Sequence, residues 1–349
     1  METVRDGKGK QEQMLGNGEK IKRYLRNISP ALLEVQNIDS IEILEMRSGS
    51  YNLNFHVRVN QKEFIFRINI EQQSGLAKQI EYEFMVMKFL EGHRIAPKAY
   101  YFDDSQERFD FPIMIEEYLE GPILSLEKED FLEDLSKVAE LMVRLHSLEP
   151  GDRPFITWKD PLTDTYELAR SDLIGLEAKR TSEKKTISLA KKLLEKTEAM
   201  VLKHRHLFHA DSLNHTDLCC ENFIKTAQGL RLIDWEKPRV DDYSYDICCF
   251  LSEPAELYNS QKLLNSEERM NFLDNYARLS GKNPDHLMEK VKIREPLISL
   301  HWILWGATML CDLKDRHTSP ELLEAHKEKI VRYERIAKPE NIEKLLESL

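Results

Sequence analysis

The sequence predicts an α+β chain in two lobes: a small antiparallel sheet carrying one helix, then a larger and mainly helical part. Three observations predict it. Between Ile41 and Ile70, in "IEILEMRSGSYNLNFHVRVNQKEFIFRINI", apolar residues alternate in short runs broken at "RSGSYN" and "NQKE". A period of two marks strands with one buried face. Beyond "EGPIL" the period turns helical, with Leu135, Val138, Met142 and Leu145 on one face of "FLEDLSKVAELMVRLHSLEP". At 349 residues the chain is long enough to bury substantial cores in two lobes.

Taken in order, residues 1–18 are polar and charged and are expected to form a disordered tail; they have no apolar core, so they do not read as a secretory signal. "EKIKRYLRNI" reads as a short amphipathic helix. The three strands follow, then "QIEYEFMVMKFLEGH", a helix with Phe84, Met87 and Leu90 on one side. After Pro97, "KAYYFDD" and "FPIMIEEYL" read as two more strands, and "EGPIL" as a hinge. The first lobe is thus expected over 19–117 and the second over 118–349. The second lobe continues with the long helix "TISLAKKLLEKTEAMVLKHRHLF", short strands around "NFIKTAQGLRLIDWE", and helices at "YSYDICCFLSEP", "EERMNFLDNYARLSG" and "ELLEAHKEKIVRYERIA". The most apolar segment, "PLISLHWILWGATMLCDL", is short for a membrane span and contains His301, so it reads as a buried helix.

Composition narrows the function. The chain is 41% apolar and 32% charged, with a formal net charge of -11. That balance argues against a general nucleic-acid binder, which needs a basic face to displace counterions. An odd count of five cysteines without an export signal predicts reduced thiols and a cytoplasmic chain, with no membrane partner.

Chemistry concentrates in "NHTDLCCENF", followed by "LRLIDWE". His215, Asp217 and Asn222 fit the H-x-D-L-x-x-x-N pattern of a phosphoryl-transfer loop. Such a reaction needs a carboxylate to orient the attacking hydroxyl and accept its proton. It also needs hard oxygen ligands to hold Mg²⁺ against nucleotide phosphates. Asp217 supplies the base and Asn222 one metal ligand; Asp234, at the end of an apolar run that would hold it still, supplies the second. Upstream, "RSGSYNLNFHV" is a Gly/Ser loop between strands, suited either to phosphate contact or to a plain hairpin turn. Arg67 in "FIFRI" and Glu83 in "IEYEF" form a cation–carboxylate pair of the kind that grips nucleotide phosphates.

With these motifs the sequence resembles the aminoglycoside phosphotransferase and choline kinase-like family, small-molecule kinases of the protein-kinase-like fold. The resemblance covers roughly residues 40–310. It rests on "HTDLCCENF", "LIDWEKPRVDDYSYDIC", "VAELMVRLHSLEP", "IEYEFMVMKFLEGHRIAPKAY" and "FLDNYARLSG". It implies a nucleotide-binding first lobe and a catalytic, acceptor-binding second lobe, using ATP and Mg²⁺ to phosphorylate a hydroxyl of a small molecule such as an aminoglycoside or an amino alcohol. It implies Asp217 as base, Asn222 and Asp234 as Mg²⁺ ligands, and Arg67 oriented by Glu83 toward the ATP phosphates. Gly49, Ser50 and Asn52 fall in the phosphate-covering loop. Glu117 and Tyr118 fall at the hinge that receives the adenine, and His215 and Asp246 support the catalytic loop. Two departures stand out: Arg67 replaces the family's Lys, and Thr216 replaces the Gly of H-G-D, so the loop is expected to have a backbone that a β-branched residue tolerates. A nucleotide-binding pseudokinase and a protein kinase are the alternatives.

For the acceptor, Glu236, Asp241 and Asp242 are candidates to meet a cation, against a plain solvated loop. Trp302 and Trp305 offer either cation–π faces or core packing. The vicinal pairs Cys219–Cys220 and Cys248–Cys249 lack zinc-site spacing. Cys219 and Cys220 are expected as loop fillers open to oxidation, Cys248 and Cys249 as small apolar packing on a helix.

Overall fold

The structure, a computed structural model, describes residues 7–48, 52–71, 76, 78–128, 131–315 and 327–349. It divides into two compact units. The first comprises residues 1–122 and 224–236, the second 123–223 and 237–349. The first boundary falls five residues past the expected 117, and a short later segment returns to the first unit.

The first unit is a five-stranded antiparallel sheet in the order β1-β2-β3-β5-β4. Its strands are β1 (Ile41–Ser48), β2 (Asn52–Val59), β3 (Lys62–Asn69), β4 (Ala99–Asp103) and β5 (Ile113–Glu117). The alternation in the sequence buries Phe55, Val57, Phe64, Phe66, Ile68, Ile113 and Ile115 in one core. Helix α2 (Gln79–Leu90) buries Ile80, Glu83, Val86, Met87 and Leu90. Phe84, expected on the buried side, is only half-buried and packs on Phe102; the carboxylate of Glu83 takes the inner position.

The expected tail is corrected from Gly7 on, where helix α1 runs Gly7–Asn27; residues 1–6 of that expectation lie outside the described residues. Ile21, Tyr24 and Leu25 anchor its end in the core, and the Tyr24 hydroxyl donates to Asp103 at 2.6 Å. The residues before Gly18 have no apolar period to reveal them, but helix propagates cheaply from an anchored turn.

The second unit is mainly helical: α3 (Phe131–His146), α4 (Pro161–Glu177), α5 (Lys184–His204), α6 (Ser244–Leu251), α7 (Glu253–Asn259), α8 (Ser266–Ser280), α9 (Pro284–Asp315), α10 (Lys327–Ile336) and α11 (Pro339–Ser348). Leu135, Val138, Met142 and Leu145 are fully buried, as the period required. The apolar segment belongs to a longer helix than expected. By length and composition α9 would pass for a membrane span. Its Leu297, Leu300, Ile303 and Leu304 instead pack in the core with Leu162, Leu173 and Leu193.

Candidate active site

In the second unit, the short pair β6 (Ser212–Asn214) and β9 (Arg239–Asp241) starts the candidate catalytic loop, and a 3₁₀ turn at Cys220–Asn222 ends it. One carboxylate holds the loop. Asp246 on α6 accepts from the backbone N–H of His215 and of Thr216, each at 2.8 Å. His146, at the end of α3, contacts the same carboxylate at 3.2 Å and contacts the Tyr276 hydroxyl at 2.9 Å. Burial opposes the charge on Asp246, but His146, His215 and the backbone donors hold its carboxyl below the usual range. Asp246 is therefore the brace the resemblance implied. His146 and Tyr276 were missed, because a histidine ending an amphipathic helix has no spacing that marks it.

Thr216 corrects an expectation. Its φ is +74°, in the left-handed region that a β-branched residue rarely enters. It stays there because its N–H is held by Asp246 and its hydroxyl donates to the Lys237 carbonyl at 2.8 Å. Asp217 is half-buried. The Asn222 side-chain amide donates to the Asp217 carbonyl at 2.7 Å and to its carboxylate Oδ2 at 3.2 Å. The nitrogen of Asn222 is thus spent on Asp217. Its oxygen, the atom a hard cation takes, has no hydrogen-bond partner among the described residues.

The first unit holds the other expected residues. Arg67 on β3 is buried; its guanidinium lies 3.2 Å from Glu83 Oε2 and donates to Asp234 at 3.3 Å and to Glu236 at 3.2 Å. Its Nε is buried without a partner among the described residues. Gln79 donates to the other Glu83 oxygen at 2.8 Å. Burial pushes Glu83 and Glu116 up to about 7, with Arg67 pulling each back. Four carboxyls therefore surround one guanidinium, an arrangement short of positive charge. Strand β8 (Gly229–Leu232), which pairs with β7 (Phe223–Thr226), stops two residues before Asp234, so Asp234 is not held by strand pairing. Its φ is +67° and its side chain is 41% exposed.

Several expected sites move. Gly49 and Ser50 lie outside the described residues. Asn52 is buried at the start of β2; its amide donates to Glu236 at 2.6 Å and its oxygen accepts from Asn69, so its side chain serves that carboxylate network rather than an open loop. Glu117 ends β5 with its carboxylate taken by the Lys98 N–H and Arg231, and Tyr118 stacks on His56 with centroids 3.7 Å apart. Glu236 belongs to the Arg67 cluster. Asp241 and Asp242 are corrected as acceptor contacts. Both are fully buried, Asp241 ion-paired to Arg294 and Asp242 to Lys290, each at 2.6 Å. A charged residue in a polar run reads as solvated until its partners, some fifty residues downstream, are placed.

The thiols are free, and burial raises those of Cys219, Cys248 and Cys249 well above the ordinary value and that of Cys220 to about 12. A neutral thiol is a weaker nucleophile than a thiolate, so these shifts weigh against ready oxidation of Cys219 and Cys220. Cys248 and Cys249 pack inside, as expected.

The tryptophans are neither plain core nor bare surface. Trp302 and Trp305 are half-buried, with ring centroids 5.4 Å apart. Tyr258 on α7 lies 5.4 Å from Trp305, and Tyr333 on α10 lies 5.4 Å from it on another side. Arg332 sits over the Tyr258 ring at 5.5 Å and pairs with Glu221 at 3.1 Å. One guanidinium thereby ties the aromatic cluster to the 3₁₀ turn that carries Asn222.

A sequence model of the phosphotransferase enzyme family APH matches residues 42–289. Among curated proteins none matches the chain. Solved structures share its fold. A choline kinase from Cryptosporidium parvum Iowa II aligns with TM-score 0.65 at 21% identity, covering 94% of this chain and 97% of that one. An ethanolamine kinase from Plasmodium vivax aligns with TM-score 0.60 at 17% identity, covering 88% and 84%. A spectinomycin phosphotransferase, solved with ADP and spectinomycin, aligns with TM-score 0.57 at 13% identity, covering 90% of this chain and 94% of that one.

Proposed function

Because the chain belongs to the APH phosphotransferase enzyme family, we propose that it transfers the γ-phosphoryl group of ATP, with Mg²⁺, to the hydroxyl of a small amino alcohol in the cytoplasm. The observation that carries this is the loop itself: an Asp217 carboxylate held by Asn222, on a backbone pinned by buried Asp246. A carboxylate so placed can orient an alcohol and take its proton as the new bond forms.

Asn222 Oδ1 in the second unit, without a partner among the described residues, and the exposed Asp234 carboxylate in the first unit are each a hard oxygen donor of the kind Mg²⁺ takes. A bound Mg²⁺ would supply charge neutralisation on the phosphates. Arg67 would hold phosphate oxygens; its unpartnered Nε supports that role. The carboxylate surplus around Arg67 favours a metal–nucleotide over the bare polyanion.

For the acceptor, the half-buried Tyr258, Trp302 and Trp305 rings favour an ammonium-bearing alcohol, which ring faces attract by their quadrupoles. The similarity to choline and ethanolamine kinases supports the same class. With Asp241 and Asp242 committed to Arg294 and Lys290, two of the carboxylates expected to meet a cationic acceptor, whether aminoglycoside or amino alcohol, are not on offer.

The test follows ADP formation from Mg-ATP over amino alcohols, aminoglycosides, sugars and nucleosides. Choline-like and ethanolamine-like alcohols should give turnover, and Asp217→Ala should lower it by about 10²–10⁴. Turnover unchanged in Asp217→Ala removes the assignment; turnover with aminoglycosides alone removes the acceptor class.

A further inference from the structure

Three carboxylates of the first unit meet one buried guanidinium. Nη1 of Arg67 lies 3.2 Å from Glu83, while Nη2 is shared by Asp234 at 3.3 Å and Glu236 at 3.2 Å. Glu83 is buried and Asp234 is an exposed hard donor. Glu236 is neither: its side chain is 17% exposed, and its carboxylate covers the guanidinium nitrogen that a phosphate oxygen would seek. An ammonium is one point of charge, but the separate nitrogens of a guanidinium let Arg67 keep Glu83 on one and bind elsewhere with another.

Glu236 is held in this position by a relay. Asn69, at the end of β3, donates to Asn52 Oδ1 at 2.9 Å; Asn52, opposite it at the start of β2, donates to Glu236 Oε1 at 2.6 Å. That oxygen is the one on Arg67 Nη2. Asparagine is a poor strand residue, yet both are buried, at 3% and 2% exposure. Asn69 Oδ1 has no partner among the described residues. Burying two amides with one oxygen unsatisfied is unfavourable for the fold alone; what the pair achieves is a fixed place for the Glu236 carboxylate.

We propose, building on the assignment of Arg67 to nucleotide phosphates, that Glu236 is a self-occupant of that site: in the empty protein its carboxylate takes the place of a phosphate oxygen on Arg67, and Asn69 and Asn52 hold it there. A polyphosphate reaching Nη2 must break that contact, and the carboxylate set loose stays close to its negative charge. The relay therefore sets the threshold for nucleotide entry, most steeply for a nucleotide carrying no metal.

The test is calorimetric titration of the full-length protein with ADP, once with a metal chelator and once with excess Mg²⁺. Glu236→Gln keeps the shape and removes the charge. It should bind metal-free ADP about tenfold more tightly than the wild type. Asn52→Ala changes no charge and only releases the carboxylate, so it should tighten metal-free ADP by roughly threefold. The double variant should bind no more tightly than Glu236→Gln, because both changes undo one contact. Should Asn52→Ala fail to fold, Asn52→Ser carries the same expectation. Metal-free binding unchanged or weaker in Glu236→Gln overturns the proposal. So does binding that tightens in Glu236→Gln but not in the Asn52 variant, which would be charge acting without the relay, and so do additive effects. If the wild type binds Mg-ADP while these results fail, the nucleotide assignment stands and the self-occupant does not. If ADP binds to no form under either condition, both fall.

Discussion

Two residues beside the chemistry, Thr216 and Asp234, hold left-handed backbone with φ of +74° and +67°. For a side chain other than glycine that conformation costs about 1–2 kcal/mol, and it persists only where neighbours over-determine it. At Thr216 the neighbours are the Asp246 carboxylate and the Lys237 carbonyl. Thr216→Ala keeps the strain and loses the hydroxyl bond, so it should lower stability by about 1 kcal/mol. Thr216→Gly loses the same bond but relieves the backbone, so it should be the more stable of the two variants by about 1 kcal/mol. Denaturant titration ranks the pair; Ala above Gly would mean that the φ at 216 is not strained. The sequence shows that Thr216 stands where glycine is common, but only the coordinates show that it adopts the conformation glycine is suited to.

Among the elements, α9 and α10 meet closely at Gly306. A Cβ built there would come within 2.5 Å of the Ile336 side chain, which is fully buried. Helix propensity alone would make Gly306→Ala stabilising by about 1 kcal/mol, yet overpacking costs about 1–3 kcal/mol. Gly306→Ala should therefore lower the melting temperature, and Ile336→Ala should cost less in that background than in the wild type. Additive effects would show that the helices do not touch there. Elements of this kind mark what the sequence made legible. Strands β1 to β5 and helix α3 follow from local periodicity, which is set by which face must be buried. The return of 224–236 to the first unit, and the burial of Asp241 and Asp242, depend on partners far along the chain: Arg294 and Lys290 are what turn two acidic residues inward. The loop chemistry was legible because its residues are close in sequence; the aromatic cluster was only half legible because Tyr258 and Tyr333 come from separate helices.

For the molecule as a whole, the buried carboxyls govern the response to pH. Glu83 and Glu116 are raised to about 7 in the folded chain, against about 4.3 when unfolded. Between those values these two groups hold more protons in the folded chain than in the unfolded one, so their contribution to stability falls as pH rises and levels off above about 7. Glu83→Gln removes one of the two groups and should flatten the decline of melting temperature between pH 5 and 7. An unchanged slope would mean that Glu83 is ionised throughout.

The division of the chain also has a consequence for its birth. The first unit is closed by residues 224–236, which bring Asp234 and Glu236 to the buried guanidinium of Arg67. Emerging from the ribosome, the first 122 residues lack those two carboxylates until 236 residues have been made, and the interruption is itself part of the helical unit. The first 122 residues must therefore wait, incomplete, while much of the second unit is synthesised. Nascent chains arrested after residue 122 should be digested readily by protease, and chains extended well beyond residue 236 should resist. Equal resistance at both lengths would show that the first unit closes without residues 224–236.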